Sequence, residues 1–333
     1  VINKSFASRV QPAHEDSEHC PRPASGDTAV LLATLSDTIA KASPGLHNLR
    51  MTDPISVSVS VSVSVSVSVS VSALSIAGTD SGGGAGIQAD LKTFAAHRVH
   101  GLSAAAALTA QHTRGVTAVH IPPLPFLRAQ IEACFADFDI AAVKLGMLAN
   151  AAVIDLVADV LEHHRPPYVI LDPVMVATSG ATLLEDDALD ALRQRLLPLA
   201  TLVTPNIPEA QLLLRRPIEN ADDAEHAITA LLEAGARAVL LKGGHLHEGQ
   251  RVIDRYDDGA SRSEFSHARL ALDAHGTGCT LAAAIAAQLC LGMSLPAACA
   301  AAVDYVARAL RGGYRPGRSA VVVLDHFGAA RSG

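Results

Sequence analysis

The sequence predicts an α/β protein whose mainly parallel central sheet is flanked by helices. Three observations predict it. Short, continuous apolar runs recur along the chain, amphipathic stretches separate them, and a polar residue recurs where the runs end. Continuous apolar strands are buried on both faces, which is the habit of parallel sheets. Right-handed crossovers are then the default connection.

The elements follow in order. Residues 73–77 (ALSIA) read as the first strand, ending in Gly78-Thr79-Asp80. Residues 86–97 read as a helix, with Ile87, Leu91 and Phe94 on one stripe. Residues 141–145, 168–171, 202–204 and 236–241 are further short strands. In one intervening helix, Ile154, Val157 and Leu161 share a face, and Asp155, Asp159 and Glu162 point elsewhere. The runs around Gly259 read as a hairpin. Asp80, Asp172, Asn206 and Lys242 follow or end apolar runs, and Lys144 sits near the end of another. In a parallel sheet these positions share one edge, where open α/β sheets bind ligands.

The 333 residues are 49% hydrophobic and 18% charged, enough for a sizeable core. Aromatics make up only 3%, with no Trp, so Ala, Val, Leu and Ile must build it. A net charge of −7 gives no basic footprint for nucleic acid, and few aromatics leave little for base stacking. Five cysteines without CxxC spacing fit a reducing cytoplasm better than a disulfide framework or a zinc site. Residues 1–50 carry no secretory pattern and read as a poorly structured extension. The 51–72 stretch is a low-complexity tract, alternating Ser and Val from Ser56 to Ser72. As a helix its 17 residues would span about 25 Å without a continuous apolar face. As a strand it would run about 56 Å, with a Val face able to aggregate. The plainest reading is an expansion upstream of the first strand, with Met51 an alternative start. A single domain is expected over 73–325, with a tail at 326–333.

Two glycine motifs carry the chemistry. Gly82-Gly83-Gly84-Ala85-Gly86 opens the first helix without satisfying GxGxxG, and GxxxxGK[ST] is absent. A hydride-transfer enzyme and a P-loop NTPase are thereby disfavoured. The glycines either make a flexible turn or let a small ligand approach the backbone. His275-Gly276-Thr277-Gly278-Cys279-Thr280 precedes an Ala-rich helix. Free N–H groups and the positive end of the helix dipole make that turn an anion site. Cys279 is either a small packing residue or a thiol whose pKa the dipole lowers. Cys290 and Cys299 lie in apolar helices and read as packing. The 15 His show no clustered third ligand near His163-His164 or His245-x-His247, so no transition-metal site is expected. Arg215-Arg216 and Arg311 with Arg315 and Arg318 read as solvated surface.

The segments AGTDSGGGAGIQADLKTFAAHRVHG, ALTAQHTRGV, KLGML, DPVM, TPNIPEA, LLKGGH and HGTGCT occur in this order. Together they resemble the hydroxymethylpyrimidine/phosphomethylpyrimidine kinase family of thiamine biosynthesis, over about 73–324. The resemblance implies a three-layer ribokinase-like fold. It implies MgATP-dependent phosphorylation of 4-amino-5-hydroxymethyl-2-methylpyrimidine, then of its monophosphate, with ATP and Mg²⁺ required. By the same resemblance, Gln111 hydrogen-bonds the aminopyrimidine. Gly78 and Val174 give backbone contacts and Met147 an apolar wall; Asp80, from its place after the first strand, is also expected in the substrate site. Lys242 meets the ATP phosphates. Asn206 and Glu209 form the N-x-x-E element that organises Mg²⁺ and its waters, with Asp172 a second candidate. Gly276, Thr277 and Gly278 hold the transferring phosphoryl, and Thr277 also contacts the nucleotide. Cys279 stands where many ribokinase-like enzymes carry an Asp base. The chain departs from the commoner AGTDPSGGAG form at Ser81 and Gly82, which bears on substrate affinity more than on reaction class. A homodimer is the family's habit, with neither nucleic acid nor membrane as partner. Pyridoxal kinase is the alternative within the enzyme class, and a non-catalytic pyrimidine-binding sensor the alternative outside it. Retention of Lys242, Glu209 and the GTGC turn argues against the sensor.

Overall fold

The computed structural model describes residues 71–175 and 186–331. The extension at 1–50 and the tract up to residue 70 lie outside the described residues.

Strand β1 (Ser72–Gly78) is buried at all seven positions. It pairs in parallel with β2 (His100–His112) on one side and β4 (Ile140–Leu145) on the other. Strands β5 (Tyr168–Leu171), β6 (Leu202–Val203) and β7 (Val239–Leu241) extend the parallel order. Antiparallel strands finish both edges. β3 (Gly115–His120) folds back on β2, and the expected hairpin, β8 (Arg251–Asp257) with β9 (Arg262–Ala268), lies beside β7. The nine-stranded order is β3-β2-β1-β4-β5-β6-β7-β8-β9. A separate parallel pair joins β10 (Ala274–His275) to β11 (Val322–Val323).

The helices are α1 (Gly86–Ala96), α2 (Leu124–Asp137), α3 (Ala151–His164), α4 (Asp186–Ala191), α5 (Ile207–Leu214), α6 (Ala221–Glu233), α7 (Thr277–Cys290) and α8 (Leu295–Arg311). Alternation along β1 sends Leu74 and Ile76 into one core with α2, α3, α5 and α6, and Ala73 into another with α1, α7 and α8. The result is the expected three layers. In α7, Ala282, Ala283, Ala284, Ala286 and Ala287 are fully buried. Small side chains let this helix lie close against the sheet, and the few large aromatics buried in this layer are Phe94, Tyr256 and Tyr305. On α3 the polar face is outward: Asp155 and Asp159 accept from Arg195 at 3.0 and 2.8 Å.

Three departures have local causes. The strand expected from residue 236 begins at Val239, because Gly235 and Ala236 close α6. Their N–H groups donate to the carbonyls of Leu232 and Leu231, a Schellman ending. β2 carries no sequence signal, since its Ala-rich run has low strand propensity. Pairing with β1 and β3 makes it a strand. Two residues of the expected tail from 326, His326 and Ala329, are buried instead. His326 is buried, accepts from the Tyr305 hydroxyl through its carbonyl, and meets Thr280 Oγ1 at 3.1 Å.

Candidate active site

β1, β4, β5, β6 and β7 are consecutive in the sheet. The polar residues ending them therefore come together at one edge. Asp172 N–H donates to Leu145 O and Lys242 N–H to Pro205 O, each a bond from one strand end to the next. Above this edge lies a cavity of about 530 Å³. Gly78, Gln111, Met147 and Val174 line one part of it. Asp172, Asn206, Glu209 and Lys242 line another, and Gly276–Cys279 run between.

The charged part is built around Lys242. Its Nζ donates to Asp172 Oδ1 at 3.1 Å and lies 3.5 Å from Glu209 Oε2. Burial works against its charge, but Asp172 and Glu209 outweigh burial and raise its pKa. Burial likewise pushes the Glu209 carboxyl upward, against the pull of Lys242. Asn206 and Glu209 form a capping box at the start of α5. Asn206 Oδ1 accepts the Glu209 N–H at 2.8 Å, and Glu209 Oε2 accepts the Asn206 N–H at 2.7 Å. The N-x-x-E spacing is thus a helix start that fixes a carboxylate at the cavity wall. The β8–β9 hairpin braces the turn after Lys242: Gly243 N–H donates to Asp254 Oδ1, and Arg269 donates to the carbonyls of Gly244 and Leu246.

The anion turn depends on close backbone approach. Gly276 has φ +84°, and a Cβ there would stand 1.9 Å from Gly84 O. It caps α7, whose first turn presents the N–H groups of Thr277, Gly278 and Cys279 without intrahelical acceptors. Cys279 also receives a hydrogen bond from the Gly86 N–H, at the start of α1. Two helix N-termini therefore meet at this sulfur. The thiolate expected from the dipole does not follow. Burial pushes the Cys279 thiol up to about 11, more than Lys144 lowers it.

The neutral part holds one correction and one residue the sequence reading missed. Asp80 does not line the cavity. Its Oδ1 accepts from Gly82 N–H and its Oδ2 from Gly84 and Ala85 N–H, at 2.8–2.9 Å. Burial opposes its charge, but the bonds from His275, Ala85 and Gly82 outweigh it and lower its pKa. A carboxylate among three free N–H groups is drawn to them and away from a ligand. The missed residue is His275, which lines the cavity. Its Nε2 is 3.1 Å from Asp80 Oδ2 and 2.9 Å from the Gln111 side-chain amide. These contacts span 195 and 164 residues of sequence. The only signal was its place beside the GTGC turn.

The fit of Mg²⁺ can be judged from the donors. Asp172 Oδ2 is buried and has no hydrogen-bond partner, with Glu209 nearby across Lys242. Two carboxylates leaving room for water and phosphate oxygens suit Mg²⁺. Among the described residues no group of three or more His, Cys, Asp or Glu side chains could hold a metal ion, and no helix is long and apolar enough to cross a membrane.

Comparison with known proteins agrees with this geometry. The phosphomethylpyrimidine kinase family model matches residues 80–324. The hydroxymethylpyrimidine/phosphomethylpyrimidine kinase of Rhizobium meliloti is 50% identical over 237 residues, covering 70% of this chain and 88% of that one. The Bacillus subtilis protein of the same name is 44% identical, covering 70% and 87%. Among solved structures, phosphomethylpyrimidine kinase from Clostridium difficile is 39% identical with TM-score 0.65, covering 72% of this chain and 99% of that one. Pyridoxal kinase from Staphylococcus aureus in complex with AMP-PCP and pyridoxal is 32% identical with TM-score 0.72, covering 79% and 96%. With its three layers, strand-end cavity and anion turn, the chain belongs to the phosphomethylpyrimidine kinase family.

Proposed function

We propose that this chain transfers the γ-phosphoryl group of ATP to the hydroxymethyl group of 4-amino-5-hydroxymethyl-2-methylpyrimidine, and then to the resulting monophosphate, in thiamine biosynthesis. The observation that carries the reading is the shared cavity. A donor–acceptor amide and an apolar wall, Gln111 and Met147, face the same space as an anion turn and a buried-carboxylate lysine. An amide that donates and accepts suits a ring nitrogen beside an exocyclic amine. Gly78 leaves room for the Met147 wall, since a Cβ there would stand 3.2 Å from Met147 Sδ.

Phosphoryl transfer needs positioning and charge stabilisation more than covalent chemistry. The substrate hydroxyl attacks in line. The N–H groups of Gly276–Cys279 receive the phosphoryl oxygens, and Lys242 offsets their charge. Asp172 and Glu209 are the residues that would hold Mg²⁺, which supplies charge neutralisation to the polyphosphate. Cys279 is the proposed acceptor of the hydroxyl proton. With a pKa near 11 it must first lose its own proton, so turnover through it rises with pH. His275 orients Gln111, and Asp80 holds His275 and the glycine turn.

The test is ADP release with and without the pyrimidine, with products identified by mass spectrometry. Pyrimidine-dependent appearance of mono- and then diphosphate supports the reading, and no pyrimidine-dependent ADP overturns it. Pyridoxal is the second substrate to assay, because the pyridoxal kinase structure superposes at TM-score 0.72. A cytoplasmic homodimer completes the proposal, and light scattering checks the dimer.

A further inference from the structure

The second lysine of the cavity wall has no part in the mechanism above. Lys144, the last residue but one of β4, has its side chain fully buried and donates to Asp90 Oδ2 at 2.9 Å. Ser75 Oγ donates to the same oxygen at 2.6 Å, while Asp90 Oδ1 is buried without a partner. Ser75 and Lys144 are register partners on β1 and β4. Alternation from Ala73 and Ala142 turns both toward the layer of α1, α7 and α8. Asp90 comes from α1 itself. The cluster thus lies on the sheet side where the N-termini of α1 and α7 meet, beside Cys279. Lys144 lines the same cavity as the anion turn. On that turn's other side, a Cβ on Gly278 would stand 3.2 Å from Lys242 Nζ.

A fully buried ion pair is a poor way to stabilise a fold, because desolvation takes back most of the attraction. One with an unsatisfied carboxylate oxygen is poorer still. The same ammonium is effective as a preorganised charge, since a dry site screens it little. We propose that Lys144 is a positioning residue for phosphoryl transfer: it supplies a second fixed positive charge to the anion turn from the sheet side, opposite Lys242, while Asp90 keeps it charged out of water. This rests on the kinase reading, and wild-type turnover in the same assay keeps the two tests apart.

The experiment replaces the pair by neutral groups of similar size. Lys144→Met alone strands Asp90, so loss of both melting temperature and activity is expected. The double variants Lys144→Met/Asp90→Asn and Lys144→Gln/Asp90→Asn remove the charges together. If Lys144 serves the reaction, a double variant regains the wild-type melting temperature but keeps a kcat at least about thirtyfold low, with KM for ATP within about threefold, in line with losing one charge-stabilising group. Wild-type kcat in either double variant overturns the inference. Parallel loss of melting temperature, kcat and both KM values in every variant assigns the pair to the fold and overturns it too.

Discussion

The two parts of the cavity solve different problems. Around Lys242, carboxylates and an ammonium crowd together, each bonded to a residue on a neighbouring strand or helix start. Around Gln111 the wall is neutral, made of backbone, Met147 and an amide steadied by His275. The first part has to offset charge that develops on oxygen. The second has to tell one flat ring from another. Substitutions in the charged part should therefore reduce kcat, and those in the neutral part should raise KM.

The largest expected effect is at Lys242. Lys242→Met should lower kcat by about 10²–10³-fold, the cost of one lost charge-stabilising group. Leaving Asp172 and Glu209 without their cation should also lower the melting temperature. A kcat within tenfold of wild type would erase the distinction between the two parts. Cys279 sharpens it through pH. Below a pKa of about 11, the thiolate fraction rises tenfold per pH unit. The wild-type kcat should climb with a slope near one between about pH 7 and 9. Cys279→Asp should flatten the slope, and Cys279→Ala should lower the rate and flatten it. Full activity in the Ala variant removes Cys279 as base.

In the neutral part, His275→Ala frees the Gln111 amide. KM for the pyrimidine should rise about tenfold, the scale of one lost hydrogen bond, with kcat changed less. A kcat loss larger than the KM change would move His275 into the charged part. The smallest effect is on stability. Asp80 has a lowered pKa in the fold, so its contribution is present above the ordinary 3.8 and is lost as pH falls through the folded value. Asp80→Asn should cost about 1–3 kcal/mol at pH 7. The gap in melting temperature should close as the pH is lowered below 3.8. A gap constant with pH would mean that the glycine turn does not need the carboxylate.

Legibility in the sequence followed the same division. Asp172, Asn206 and Lys242 announced themselves as polar residues at or just after the ends of apolar runs, and the resemblance to the family's N-x-x-E element marked Glu209. His275 did not, because its meaning lies in partners on other elements. Asp80 was misread for the matching reason. A carboxylate after a strand fits a substrate site, and only the folded turn shows three N–H groups already holding it. The glycine turn announced an anion site, but of the two readings left open for Cys279 burial rules out the lowered pKa.

The sequence by itself determined the layered architecture, the sheet edge that carries the chemistry, and the family. Apolar periodicity and strand-end polarity are local signals, and the parallel topology follows from them. Only the tertiary structure decided the Ala-rich strand β2, the joining of His275 to Gln111 and Asp80, and the burial of Lys144 and Cys279. Strand pairing, long-range hydrogen bonds and desolvation depend on neighbours far away in the chain, which no local pattern of residues encodes.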